Sequence, residues 1–160
     1  MRGALAALVG WAAVAGIGKA IGGDAGSSRA EVPEGPLTHE QYVVHADRAC
    51  LRETLDHMSG GGLGAVLSGD GERMAEDMAT KVHATVVAQV GALRDLPVPA
   101  GEEATVTAML ASFDRYATSV EELLAVGSMG EEADAAATRM STRMQERQDL
   151  LHTYGITGCG

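Results

Sequence analysis

Aromatic residues are scarce in this sequence of 160 residues, which contains one Trp, one Phe and three Tyr. The Trp is residue 11, so the rest of the chain has none. Runs of β-branched residues of the kind that form strands are also absent. A core must therefore consist mainly of Ala, Val, Leu and Met, and all of these except Val favour helix. The composition predicts an all-α domain.

Basic residues are also scarce. From residue 31 onward the chain has nine basic and twenty-one acidic residues, so the formal charge of that part is −12. Nucleic-acid binding needs clustered Lys and Arg against the phosphates, and we therefore expect no nucleic-acid partner. The same negative charge opposes adhesion of the domain to anionic lipid.

Motifs for catalysis and cofactors are missing as well. The Gly-rich segment 59–71 lacks the Lys-Ser/Thr of a P-loop and follows no strand, so a flexible connection is the simpler interpretation. There is no G-x-S-x-G and no H-E-x-x-H, and the five scattered histidines do not form the Glu-x-x-His pairs of a di-metal bundle. The sequence therefore predicts a non-enzymatic protein without a cofactor.

The N-terminal segment has the pattern of a signal peptide. A short positive start, Met1-Arg2, precedes an uncharged apolar stretch of 15 residues, 4–18. That length suits the apolar region of a signal peptide, whereas a membrane span needs about 20 residues. Small residues at Ala20 and Gly22 provide a cleavage site. We predict that residues 1–22 are a signal peptide or, since Lys19 could snorkel and extend the span, an uncleaved membrane anchor. A buried helix is the third alternative.

The rest of the chain divides into a tether and a domain. Residues 23–37 are rich in Gly, Ser, Pro and charge, which is typical of a flexible tether. Residues 38–160 contain four segments with helical periodicity and helix start and stop signals. They run from about 39 to 58, 71 to 96, 102 to 126 and 131 to 154. Short connections favour antiparallel neighbours, so we expect an antiparallel four-helix bundle preceded by an apolar leader helix.

Local signals mark two of the helix ends. Thr38 is an expected N-cap, and Gln41 three residues later completes a capping box. Gly155 follows the last helix, where glycine most readily adopts a left-handed conformation.

Only two cysteines are present, Cys50 and Cys159. An even number in an exported chain indicates a disulfide, and no C-x-x-C or neighbouring His cluster favours redox or metal thiols. The bridge would close a loop of 109 residues, which the chain-entropy model equates with about 4–5 kcal/mol. It would also hold the C-terminal tail, residues 155–160, against the first helix.

Three short motifs carry a resemblance. They are residues 45–50 (His-Ala-Asp-Arg-Ala-Cys), residues 96–104 (Leu-Pro-Val-Pro-Ala-Gly-Glu-Glu-Ala) and residues 154–160 (Tyr-Gly-Ile-Thr-Gly-Cys-Gly). Together they resemble a loose family of secreted actinobacterial helical proteins. In that family an Ala-Asp-x-x-Cys helix pairs with a C-terminal Tyr-Gly-x-x-x-Cys tail. The resemblance implies export, a helical fold and the disulfide, and it implies no activity.

Methionines are the first candidate ligands. Met74 and Met78 are one helical turn apart, as are Met140 and Met144. Thioethers in an oxidising compartment could bind Cu(I), a soft ion. Met also fills gaps in cores that have few aromatic residues, and all four lie on apolar faces of their helices.

Arginines are the second candidate. Arg139, Arg143 and Arg147 recur every four residues beside the apolar face of the fourth helix. Such a stripe could hold an anionic ligand or partner, and the alternative is pairing with acids of a neighbouring helix such as Glu121 or Glu122.

We expect a secreted or envelope-tethered accessory subunit that binds a protein partner. A carrier of copper or a small ligand is the alternative.

Overall fold

The structure is a computed structural model and describes residues 35–58, 71–127 and 129–160. These residues form helices and no strands. The helices are α1 (His39–Met58), α2 (Gly71–Arg94), α3 (Glu103–Val126) and α4 (Glu131–Tyr154). The all-α prediction is confirmed for this part of the chain, with each helix end within two residues of its predicted position. The predicted leader and most of the predicted tether lie outside the described residues.

Each helix is 20 or 24 residues long. Within the described ranges, no helix combines the length and the hydrophobicity that crossing a membrane requires.

The start of α1 is fixed by its own sequence. The backbone N–H of Gln41 donates to Thr38 Oγ1 at 3.2 Å, and the backbone N–H of Thr38 donates to Gln41 Oε1 at 2.9 Å. These two bonds are the predicted capping box, which is thus confirmed.

The end of α4 is fixed in the same way. Gly155 adopts a left-handed conformation with φ of 94°. Its N–H donates to the carbonyl of His152, and the N–H of Ile156 donates to the carbonyl of Leu151 at 2.9 Å. This is a Schellman motif, completed by the burial of both Ile156 and Leu151. The predicted role of Gly155 is confirmed, and the motif turns the chain back toward the bundle.

Ion pairs between α2 and α3 show that these helices run in opposite directions. Arg94, the last residue of α2, lies 2.8 Å from Asp114 in the first half of α3. His83, farther from the end of α2, lies 2.9 Å from Glu121 near the end of α3. A residue nearer the start of α2 therefore pairs with a residue nearer the end of α3, as expected for antiparallel helices.

Helices α3 and α4 are also antiparallel. Arg139, early in α4, pairs with Glu122, late in α3. The hydroxyl of Tyr154, the last residue of α4, donates to Glu102, which precedes α3. His39, the first residue of α1, contacts the same carboxylate. The starts of α1 and α3 and the ends of α2 and α4 therefore share one end of the bundle, which we call the proximal end. The opposite end is the distal end.

The core lies between the helices and toward the proximal end. Its large fully buried side chains include Tyr42, Leu93, Met109, Phe113 and Leu151. The link between α1 and α2 is partly polar, because Gln89 Nε2 donates to Thr54 Oγ1 at 3.0 Å. All the aromatic core residues come from positions that map to the proximal half or the middle of the bundle.

Candidate functional site

The cysteines are the first predicted site residues that the structure brings together. The Sγ atoms of Cys50 and Cys159 lie at disulfide-bonding distance, with 4.8 Å between the Cα atoms. Both residues are buried. The predicted pairing is confirmed, and the tail lies against α1 as expected.

A second contact holds the same tail, and the sequence alone does not reveal it. Asp47 Oδ1 accepts hydrogen bonds from the backbone N–H groups of Thr157 at 2.7 Å and Gly158 at 2.6 Å. Gly158 lies so close to α1 that an added Cβ would be 2.5 Å from the carbonyl oxygen of Asp47. Ile156 is buried beside them. The tail is therefore packed against α1, and the Asp47 carboxylate binds the two residues that precede Cys159.

Three residues distant in sequence meet at the proximal end. Glu102 Oε2 accepts a hydrogen bond from the hydroxyl of Tyr154 and lies 3.0 Å from His39 Nδ1. The hydrogen bond from Tyr154, followed by that from His39, lowers the pKa of the Glu102 carboxyl. Burial, together with the acceptor Glu102, raises the pKa of the Tyr154 hydroxyl. The cluster ties α1, α3 and α4 together through one carboxylate.

Tyr42 borders this cluster. Its ring meets the ring of Tyr154 edge to face, with 5.8 Å between centroids. Burial raises the pKa of Tyr42 to about 12, and its hydroxyl has no hydrogen-bond partner among the described residues. The group is a packed phenol that stays neutral at physiological pH.

The three predicted arginines separate into two environments. Arg139 Nε donates to Glu122 at 3.0 Å, and Arg143 donates to Glu146 of its own helix at 2.8 Å. Arg147 is 1% exposed and lies within the bundle. Arg147 faces α3, so the predicted stripe does not present all three guanidinium groups to solvent. Pairing with Glu122 is confirmed for Arg139, and an anion contact through Arg139 or Arg143 stays a prediction.

Arg147 lies against two aromatic rings of α3. Its guanidinium carbon is 4.7 Å from the centroid of the Tyr116 ring and 5.0 Å from that of Phe113. Within the described part of the chain no carboxylate lies within ion-pair distance of it, and its Nε has no acceptor. Burial lowers the pKa of this guanidinium. Cation–π contact is thus the main compensation for a buried charge.

The four predicted methionines also separate. Met140 is buried, and Met144 is partly buried against the core, as the core interpretation predicts. Met74 and Met78 are each 39% exposed, so the core interpretation is wrong for that pair. They lie in the first two turns of α2. Among the described residues no group of three or more His, Cys, Asp or Glu side chains is placed to hold a metal, and copper binding by the methionines stays a prediction.

Exposed apolar side chains are concentrated at the distal end. Leu55 is 59% exposed and Met129 is 77% exposed. We define the distal apolar surface as the six large apolar residues exposed there: Leu55, Met58, Met74, Met78, Val126 and Met129. Along α1 the exposed side continues through Leu51 and Val44, which share a helix face with Leu55.

The proximal end has the opposite character. Leu37, Leu96 and Ile156 are apolar residues of its loops and tail, and each is buried. One end of the bundle is thus closed by packed side chains, and the other presents side chains of the same type to solvent. Single exposed apolar residues are ordinary, whereas several of them on the distal segments set that end of the bundle apart from the proximal end. Sequence periodicity could not find this surface, since an apolar helix face has the same pattern whether or not a neighbour covers it.

Comparison with known proteins gives no relative from which a role could be transferred. No family model, no curated protein and no solved structure matches the chain.

Proposed function

We propose that the chain is a non-enzymatic helical module that binds a partner protein through the distal apolar surface. The concentration of exposed Leu, Val and Met at that end carries the proposal. Burial of apolar surface is favourable by about 25 cal/mol per Å², so a partner that covers these side chains gains free energy. Unbranched Met side chains adapt to the shape of a partner, and four of the six residues are Met.

The proposed location is outside the cytoplasm, either secreted or tethered to the cell envelope. Two features support it: residues 1–22 have the pattern of a signal peptide or anchor, and the paired cysteines suit an oxidising compartment. Residues 23–37 would then separate the bundle from the membrane if the leader is retained.

Site-specific crosslinking in the natural host tests the partner. A photo-reactive residue in place of Leu55 or Met129 is expected to give a covalent adduct with one discrete protein. Val87 is the matched control, because it is apolar and 50% exposed but lies on the face of α2 opposite Met78. Adducts at Val87 equal to those at Leu55 and Met129, or none at either distal position, would contradict the proposal.

Fractionation of the same cells tests the location. Mass spectrometry is expected to find either a supernatant species that lacks about 22 residues or a full-length membrane species. A full-length species confined to the cytoplasm would contradict export.

A further inference from the structure

Helix α1 carries apolar side chains on two opposite sides. The side that faces the bundle is buried and contains Tyr42, Ala46 and Cys50. The other side has four apolar residues that are between 37% and 59% exposed: Val44, Leu51, Leu55 and Met58. At about 100° per residue, Val44 lies roughly 160° around the helix from Ala46. One apolar side is enough to attach a helix to its own domain, so the second side needs another partner.

The exposed side has the spacing of a coiled coil. Its residues 44, 48, 51, 55 and 58 are separated by alternating steps of four and three. In heptad notation Val44, Leu51 and Met58 occupy d positions, and Arg48 and Leu55 occupy a positions. We call these five residues the outer face of α1. Over its two heptads this spacing drifts by only about 40° around a straight helix, so the outer face is one continuous strip along which a second helix can pack.

Charged residues flank the outer face with opposite signs on its two sides. Glu40 and Asp47 occupy g positions, and His45 and Arg52 occupy e positions. In a parallel pair of helices each g residue faces the e residue five positions later on the other helix, so Glu40 would face His45 and Asp47 would face Arg52. In an antiparallel pair g faces g and e faces e, which brings acid to acid and Arg52 to Arg52. The sequence of α1 is therefore complementary to itself in the parallel orientation.

Both members of the stronger pair can accept a further partner. Asp47 Oδ1 accepts hydrogen bonds from Thr157 and Gly158, and a carboxylate has about four acceptor sites in all. Arg52 lies 2.6 Å from Glu53 of its own helix, and a guanidinium has five N–H donors. The Arg52 side chain is 54% exposed, so it is accessible to a second helix.

We propose that two copies of the chain form a parallel dimer through the outer face of α1, with Leu51 and Leu55 at its centre. This inference goes beyond the proposed function, because four residues of the distal apolar surface lie outside the outer face and are left for the partner protein: Met74, Met78, Val126 and Met129. Parallel pairing also places the N-terminal end of both helices on the same side of the dimer. Two retained leaders could then reach one membrane, as the proposed location requires.

The net charge of −10 on each copy opposes association. At physiological ionic strength the Debye length is about 8 Å, so repulsion is confined to charges near the contact, where the g and e residues are complementary. Arg48 also limits the affinity, since a polar residue at one a position specifies register at a cost in stability. With only two heptads in contact, we expect a Kd on the order of 10 µM.

Sedimentation equilibrium of the full-length chain tests the dimer. Leu51→Gln with Leu55→Gln should raise the Kd at least tenfold and leave the helical circular dichroism unchanged, because both residues are more than half exposed. Met74→Gln with Val87→Gln is the matched control, since it replaces two exposed apolar residues of α2. A natural chain that stays monomeric at about 100 µM, or equal weakening by the two double variants, would overturn the inference.

A single cysteine tests the orientation. Val44→Cys should give a disulfide between the copies under mild oxidation, because like positions meet in a parallel dimer. In an antiparallel dimer the two positions would be more than about 15 Å apart along α1. Val87→Cys is the control, with a similar exposed fraction on another helix. No covalent dimer in Val44→Cys, or as much in Val87→Cys, would overturn the parallel arrangement.

Charge reversal tests the flanking pairs. Arg52→Glu places an acid opposite Asp47 of the second copy and should raise the Kd about 3- to 10-fold, on the scale of exposed ion pairs. Arg115→Glu makes the same change in net charge at an exposed residue of α3 and should raise it less. Equal weakening by both variants would assign the effect to overall charge and contradict the proposed pairs.

The two proposals fail separately. If the chain is monomeric but a photo-reactive residue at Met129 captures a discrete protein, the dimer is wrong and the interaction module stands. If the chain is dimeric, with only the dimer captured at Leu55 and no adduct at Met129, the dimer stands and the partner protein is wrong.

Discussion

Replacement of Arg147 by Met is expected to leave the domain as stable as the natural chain or to stabilise it by up to about 3 kcal/mol. The effective cost of burying one ion is several kcal/mol. Contact with the rings of Phe113 and Tyr116 returns about 0.5–2 kcal/mol each, and no carboxylate among the described residues adds to this. Met fills much of the same space, keeps contact with both rings and carries no charge.

Two further variants separate charge from packing. Arg147→Lys keeps the buried charge but loses the flat group that stacks on the rings, and it should destabilise the domain by about 2–4 kcal/mol. Arg139→Met removes an exposed ion pair with Glu122 and should change stability by less than about 1 kcal/mol.

Urea unfolding followed by circular dichroism measures all three free energies of unfolding. The order Arg147→Met, then Arg139→Met, then Arg147→Lys, from most to least stable, is the expected result. A loss of more than about 2 kcal/mol in Arg147→Met would refute the reasoning, because the guanidinium would then stabilise the fold by more than its burial costs.

Three other changes test the tail and the proximal end. Cys50→Ser should lower the melting temperature by several degrees, on the loop-closure scale of about 4–5 kcal/mol, and a shift within error in a thermal scan would show that the bridge contributes nothing. Gly158→Ala should destabilise by about 1–3 kcal/mol in urea because its Cβ meets the Asp47 backbone, and unchanged stability would contradict that contact. The pKa of Glu102 is lowered in the folded state, so its contribution is present above its ordinary value of 4.5 and is lost as pH falls through the folded value. Urea unfolding against pH should therefore show Glu102→Gln less stable than the natural chain at neutral pH, with the two converging in acid, and a difference that persists in acid would argue against this linkage.

Features that depend on neighbouring residues could be predicted from the sequence. The capping box of Thr38 and Gln41 and the turn at Gly155 need only a few adjacent residues, and both are confirmed. The disulfide could be predicted because two cysteines allow a single pairing.

Features that depend on packing could not be predicted. Glu102 is 63 residues from His39 and 52 from Tyr154, and no periodic pattern links such positions. The sequence places Arg147 beside the apolar face of α4, but it does not show that two rings of α3 accept the flat face of the guanidinium. Met74 differs from its expected place in the core, because 39% of this residue is exposed.

The bridge between Cys50 and Cys159 also determines how the chain responds to a pulling force. A force applied between the N-terminus and the residues after Cys159 passes from residue 50 directly through the sulfur atoms to residue 159. Residues 51–158 form the closed loop between the cysteines, which contains the end of α1 and all of α2, α3 and α4, and they bear none of that tension. At about 3.5 Å per extended residue, the disulfide keeps roughly 380 Å of contour length between Cys50 and Cys159 from extending. Such a force would thus extend only the residues up to Cys50, and the loop that carries the whole distal apolar surface would lengthen only after reduction.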